Sequence, residues 1–239
     1  MKNFAIVFAS LIFLASCNVI SGRGINGNGN IRTEKRNVGN FTGVKTSGSI
    51  DVEITNGDSY SVSAEDDDNV LPYIVTEVNN GILNVHYKEG TSVNNDHAKV
   101  YVVAPSLDHL TSSGSADITS QDIIKSSQEI KIDVSGSGDV KTGVDAPQVS
   151  VSVSGSGNVT LNGRTKDFTC QASGSGDLNC GSLESENATV TVSGSGNAHV
   201  FASVHLSATS HGSGDIFYRG NPSNPEIHTS GSGSVEAEK

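Results

Sequence analysis

Apolar and polar residues alternate with a period of two over short stretches of this chain, most strictly in Val149-Ser-Val-Ser-Val153 and Ala188-Thr-Val-Thr-Val192. Alternation of this kind predicts strands with one buried face. Each stretch runs into a Ser-Gly-Ser-Gly phrase and then one more apolar residue. The first glycine of the phrase falls at Gly114, Gly136, Gly155, Gly174, Gly194, Gly212 and Gly231, so that successive positions differ by 22, 19, 19, 20, 18 and 19. An earlier copy, Ser47-Gly-Ser-Ile-Asp-Val52, lies as far before Gly114 as three more units would reach.

Aligning the copies on that glycine separates inside from outside. Counting back six, four and two residues gives Ile130, Ile132 and Val134, then Val149, Val151 and Val153, then Phe168, Cys170 and Ala172, then Ala188, Val190 and Val192, then Leu206, Ala208 and Ser210. Four residues beyond it stand Val140, Val159, Leu178, Ala198, Ile216 and Val235. Each unit therefore reads as a strand, a corner, a second short strand and a variable return. One unit cannot bury its apolar face alone, whereas copies stacked about 4.8 Å apart share a continuous core. The expected fold is all-β, a right-handed single-stranded parallel β-helix (β-solenoid) of about 19 residues per coil, since parallel crossovers are right-handed. A propeller blade needs about 40 residues. An antiparallel sandwich is the rival, because turns every 8–12 residues are also its mark.

The corner chemistry agrees with stacking. Glycine reaches backbone angles closed to other residues and leaves room where corners approach, and serine hydroxyls can bond interrupted backbone groups. Before Gly114 the regularity lapses. Phe41 to Thr55 predicts two strands around the early corner, and Asp66-Asp-Asp-Asn69 a solvated, capped helical turn limited by Pro72. Val78 to Val85 predicts a hairpin turning at Asn80-Gly81, and Lys99 to Ala104 another strand. This segment is expected to cover one end of the stack.

Composition changes the picture in two ways. Hydrophobic residues are only 34% and glycines number 27, which would suit a disordered tract were it not for the alternation. The net charge of −11, with 15 basic residues spread along the chain, argues against nucleic acid as a partner. With no Trp, five Tyr and seven Phe, stacking platforms are scarce.

Met1-Lys-Asn3 followed by an apolar run from Phe4 to Leu14 and then Ala15-Ser-Cys17 predicts a secretory signal over 1–16, too short to span a bilayer. The ending resembles a bacterial lipobox, in which Cys17 is lipidated, with palmitate among its chains, and opens the mature protein. Loss of Lys2 leaves 14 basic against 26 acidic residues, a net of −12, so the lipid is the expected sole membrane anchor. Residues 17–36 are expected as the lipidated cysteine and a tether, and 37–239 as the solenoid.

With the lipobox, FTGVKTSGSIDVEITNGDSYSVSAEDD from Phe41, the hairpin to Tyr87, KVYVVAPSL from Lys99 and the run of SGSGD/N corners in place, the chain resembles the head GIN domain family of auto-transporter adhesins, common as lipoproteins of Bacteroidetes. The likeness covers about Gly29 to Val235. It implies the right-handed β-helix and brings no catalytic residues with it. Asn18-Val-Ile-Ser-Gly22 lacks the acids that follow the cysteine in surface-exported lipoproteins of that group, which favours the periplasmic side of the outer membrane.

Several positions invite chemistry. The residue three after each corner glycine runs Asp117, Asp139, Asn158, Asp177, Asn197, Asp215 and Ser234, a candidate ligand-facing or cation column. Calcium-binding rolls repeat every nine residues, however, and alternation of Asp with Asn already relieves repulsion between stacked carboxylates. Pectin-type lyases share the architecture but need clustered carboxylates, a basic residue and long loops, whereas the returns here carry only Lys141, Arg164, Lys166 and Arg219. His86, His97, His109, His199, His205, His211 and His228 show no metal spacing. Cys170 and Cys180 both fall on inward parity within one coil, as a candidate disulfide or, ten residues apart, as two buried thiols. The expected protein is a lipid-anchored, non-enzymatic adhesin or scaffold without cofactor or metal. Its polar faces would bind a polysaccharide or protein of the envelope or host. A glycan lyase or hydrolase, or an envelope-sensing module, are the alternatives.

Overall fold

The computed structural model describes residues 24–94 and 97–238, so the signal segment and Cys17 lie outside the described residues. Every corner-glycine strand pairs in parallel with the next at equal register. Gly114 faces Gly136, Gly136 faces Gly155, Gly155 faces Gly174, Gly174 faces Gly194, Gly194 faces Gly212 and Gly212 faces Gly231. The strands after the corner stack in the same order, from Ile118–Lys125 to Val235–Ala237. This is the β-solenoid, and the residues assigned to the interior by parity are its core: Ile130, Ile132, Val149, Leu178, Ala188 and Leu206 are fully buried.

The returns are more ordered than their variable sequence suggests. Val140–Gly155, Val159–Gly174 and Leu178–Gly194 are continuous strands through the return, with Val144, Leu183 and Thr165 turned inward. Coils of nearly equal length bring successive returns into register, and the ladder bonds then form without any apolar alternation to advertise them.

Three expectations change at the amino-terminal end. First, the long interval between Gly48 and Gly114 holds no three rungs in sequence order: Gly43–Gly48 lies directly beside His109–Gly114, with Gly48 opposite Gly114. Residues 57–108 leave after the first rung, pass to its far side and return. There Ile82–Tyr87 runs parallel to Gly43–Gly48, and Lys99–Ala104 parallel to Asp51–Asn56, so the excursion supplies the terminal rung as well as the cap. Second, the outer half of the expected tether is structured. Ile31–Arg36 pairs antiparallel with Ser61–Asp67, which pairs antiparallel with Lys99–Ala104. Third, the helical turn is a single 3-10 turn, Leu71–Tyr73, whose capping residue Val70 receives no side-chain hydrogen bond.

The acids meant to cap that turn serve elsewhere. Asp66 and Asp67 are buried rather than solvated, the amide of Asp67 donating to Asp66 Oδ1, while Asp68 and Asn69 bond Asn28. The hairpin is as expected: Ile74–Asn79 pairs antiparallel with Ile82–Tyr87, and Asn80 and Gly81 take φ of 52° and 78° at the turn. The edge left outermost, Ile31–Arg36, carries four charged residues, which discourages strand addition. At the opposite end Glu226–Gly231 is exposed throughout, and Ile227 is 41% exposed, with no rung stacked beyond it among the described residues.

Candidate binding faces and the corner ladder

The corner is built by close approach. Gly136, Gly155, Gly174 and their equivalents have φ between 115° and 147° from Gly114 onward, where an L side chain is strained, and a Cβ on Gly174 would sit 2.1 Å from the Gly155 carbonyl oxygen. That carbonyl accepts the amides of Ser175 and Gly176 from the next rung, at 2.8 and 3.3 Å. The second glycine is equally confined: a Cβ on Gly176 would lie 2.0 Å from the Gly157 oxygen. The corner serines behave otherwise than expected. Ser137, Ser156, Ser175, Ser195 and Ser213 are exposed. The hydroxyls that span the corner are the inward ones, Thr46 to the Ile50 carbonyl at 2.6 Å, Ser112 to Ala116 at 2.5 Å and Ser210 to Gly214 at 2.8 Å.

Beyond each corner stands the column of Asp and Asn, half-buried and internally used. The amide of Asp117 donates to Asp51 Oδ1 at 3.0 Å, Asp139 to Asp117 at 2.8 Å, and Asn158 to Asp139 at 2.7 Å. Asp177 donates to Asn158, Asn197 to Asp177, Asp215 to Asn197 and Ser234 to Asp215, all between 2.7 and 3.0 Å. Each side-chain oxygen thus accepts a backbone N–H one rung up, so Asp and Asn are interchangeable acceptors, and the side-chain Nδ2 of Asn158 also donates to Asp139 Oδ1. Asp51, at the foot of the ladder, was missed in sequence because the excursion hides its neighbour. No group of three His, Cys, Asp or Glu side chains capable of holding a metal occurs among the described residues.

Cys170 and Cys180 are free thiols, both buried, and no disulfide joins them. Burial pushes the Cys180 thiol up to about 12 and Cys170 well above its ordinary value, so both are unreactive in the folded chain. The histidines lie on outer surfaces: His109 is 3.4 Å from Asp133, and His199 3.0 Å from Glu238. Arg164 and Asp145 form a surface pair at 2.8 Å in the return, where the guanidinium holds the Asp145 carboxyl below its usual value.

What remains for recognition is the outer face of the ladder. On the pre-corner strands Ser150, Thr169, Thr189 and Ser207 are successive register partners, and so are Ser152, Gln171, Thr191 and Thr209. Two parallel columns of hydroxyl and amide groups therefore repeat at the rung spacing, about 4.8 Å. Among the described residues no helix is long and apolar enough to cross a membrane.

The structure resembles several solved proteins. A "putative adhesin" from Bacteroides fragilis superposes with a TM-score of 0.84 at 20% identity, over 90% of this chain and 100% of that one. A "putative lipid binding protein" from Parabacteroides distasonis gives 0.72 at 24% identity, over 91% and 100%. A "putative adhesin" from Parabacteroides merdae gives 0.68 at 20%, over 90% and 99%. At these identities the likeness is one of fold. No curated protein matches the sequence. Residues 40–222 match the family described as "Putative auto-transporter adhesin, head GIN domain", and the chain belongs to that family.

Proposed function

We propose that the chain is a lipid-anchored, non-enzymatic protein of the cell envelope that presents its solenoid faces to another macromolecule, as an adhesion or scaffold module. The observation that carries this reading is the division of labour within each rung. Corner carboxylates and amides are consumed by the ladder, while the hydroxyl columns beside them face outward in unbroken register. Carboxylates already holding backbone amides are poorly placed to act as acid and base, and repeated hydroxyls offer many weak, additive contacts. The family description and the adhesin neighbours support the same class.

Anchoring rests on the Leu14-Ala-Ser-Cys17 motif, with the periplasmic side of the outer membrane preferred. Labelled palmitate should enter the protein and be lost in Cys17→Ser, which should also move it from the membrane fraction to the soluble one. The binding role is tested by applying the purified domain to an array of envelope polysaccharides, host glycans and matrix proteins. Saturable retention on some of them is expected, and none on any would end this reading. Turnover of a uronate-containing glycan, lost in Asp139→Asn or Asp177→Asn, would replace it with a lyase or hydrolase.

A further inference from the structure

The post-corner face is not flat, and the reason lies in two register breaks. Between Ile118–Lys125 and its neighbour, Thr119 faces Lys141 and Ile123 faces Gly143, so residues 120–122 stand opposite Thr142 alone. Between Val159–Gly174 and Leu178–Gly194, Thr160 faces Asn179 and Asn162 faces Ser182, so Cys180 and Gly181 oppose Leu161 alone. The two rungs between these bulges are in unbroken register, Lys141 opposite Thr160 and Gly143 opposite Asn162. Bulges re-aim side chains and bend a sheet locally, and a pair of them raises two walls around a regular floor.

Two clefts result, of about 790 Å³ on the side of Glu53 and about 350 Å³ on the side of Glu238, and they meet at Asn162, which lines both. Together they cross eight rungs, roughly 34 Å at the strand spacing. The Asn162 side chain lies close over Gly143, where a Cβ would stand 2.8 Å from its Oδ1.

The lining has a definite character. Lys141, Asn162, Asn179 and Gln121 are exposed there, and their side chains make no hydrogen bond among the described residues, in contrast to Asn158 and Asn197 one column away, whose side-chain oxygens accept backbone amides. Glu53 is paired with Lys99 and Glu238 with Arg219, and His199 Nδ1 lies 3.0 Å from Glu238. At the carboxyl-terminal end His199 stacks on Phe217, rings 4.9 Å apart and 20° from parallel. Free amides, an ammonium and hydroxyls beside an aromatic surface suit vicinal diols and the apolar face of a pyranose. A peptide fits poorly, because the trough runs across strands whose backbone groups are already paired.

We propose that this trough is the binding site for an extended oligosaccharide of little or no charge, laid across the strands from Glu53 toward Phe217. The proposal rests on the binding-module reading above, names a ligand class for it and adds a second face to the hydroxyl columns. Titration calorimetry of the mature protein with linear β-glucan, xylan and mannan hexasaccharides is the test, beside a parallel screen on matrix proteins and polyuronates. At least one uncharged oligosaccharide should bind, and Asn162→Ala with Asn179→Ala should weaken it tenfold or more without moving Tm. Glu89→Ala, at an exposed turn outside both clefts, should leave it unchanged. Equal affinity in the Asn162 and Asn179 variants would overturn the site. Binding confined to polyuronates and abolished by salt would overturn the ligand class. Retention on protein partners alone would overturn the glycan while leaving an adhesive module, and absence of binding to any probe would remove both.

Discussion

Two regions of this solenoid solve the same packing problem with different sequence grammar. From Gly114 to Gly231 the chain returns to each corner after a short, nearly constant interval, and sequence order is stacking order. Between Gly48 and Gly114 it takes more than three such intervals to climb one rung, having first built the rung and a hairpin on the other side. The regular region has an interior covered from both sides. The amino-terminal end is finished instead by antiparallel strands, the outermost of which, Ile31–Arg36, is highly charged. A period thus reports the stack only where the chain advances one rung per turn, and a terminus is finished by breaking that rule.

The sharpest way to break the comparison is at the corner glycines. In the regular region Gly174→Ala adds a Cβ 2.1 Å from the Gly155 oxygen at φ +128°, whereas Gly48→Ala, at φ +93°, meets nothing within 4 Å. Overpacking and backbone strain together should cost about 2–6 kcal/mol at Gly174. Strain alone should cost about 1–2 kcal/mol at Gly48. Urea unfolding of the two variants measures both, and equal costs would mean that the corners are not held by stacking.

A second contrast sets covered rungs against the uncovered one. Ile132 is fully buried, and Ile227, on the last rung, is 41% exposed. Ile132→Ala should lose about 2–5 kcal/mol. Ile227→Ala should lose less than about 1 kcal/mol. Similar losses in solution would show that something covers the last rung, with a second copy detectable by sedimentation.

Much of this was legible in sequence, for a physical reason: inward parity and the glycine corner recur because every rung meets the same neighbours. The hairpin at Asn80-Gly81 was legible because its turn chemistry is local. The adjacency of Gly48 and Gly114 was not, since no local property of residues 57–108 says on which side of a rung they pack. Nor was the strand Ile31–Arg36, whose charged residues hide any alternation. The bulges did leave a trace. The two longest steps, from Gly114 to Gly136 and from Gly174 to Gly194, belong to the coils that carry 120–122 and Gly181, so the excess over the usual step marked where the face departs from flatness.

The Asp and Asn column gives a smaller effect, one that separates architecture from ligand binding. Asp139→Ala removes the acceptor for the Asn158 amide and should cost about 1–3 kcal/mol. Asp139→Asn keeps an acceptor oxygen and should be nearly neutral. A cation site would reverse the pattern: Asp139→Asn would then lose the stabilisation that added calcium gives. Thermal scans of both variants, with calcium and with chelator, decide it, and the expected scans are insensitive to either.

The smallest expected effect lies at the seam between the two regions, where Lys99 of the excursion meets Glu53 of the first rung at 2.7 Å. The hydrogen bond and charge of Glu53 raise the Lys99 pKa above its ordinary 10.5, outweighing the opposing cost of desolvation. A raised lysine pKa stabilises the fold fully below the unfolded value, and that contribution is lost as pH rises through the folded one. Both side chains are about two-fifths exposed, so solvent screening leaves Glu53→Gln costing only about 0–1 kcal/mol near neutrality. The difference between wild type and variant should shrink as pH climbs beyond 10.5, and it should also fall with added salt. A gap that persisted in strong alkali would mean that Glu53 joins the regions through packing or through its place in the trough, rather than through the charge of Lys99.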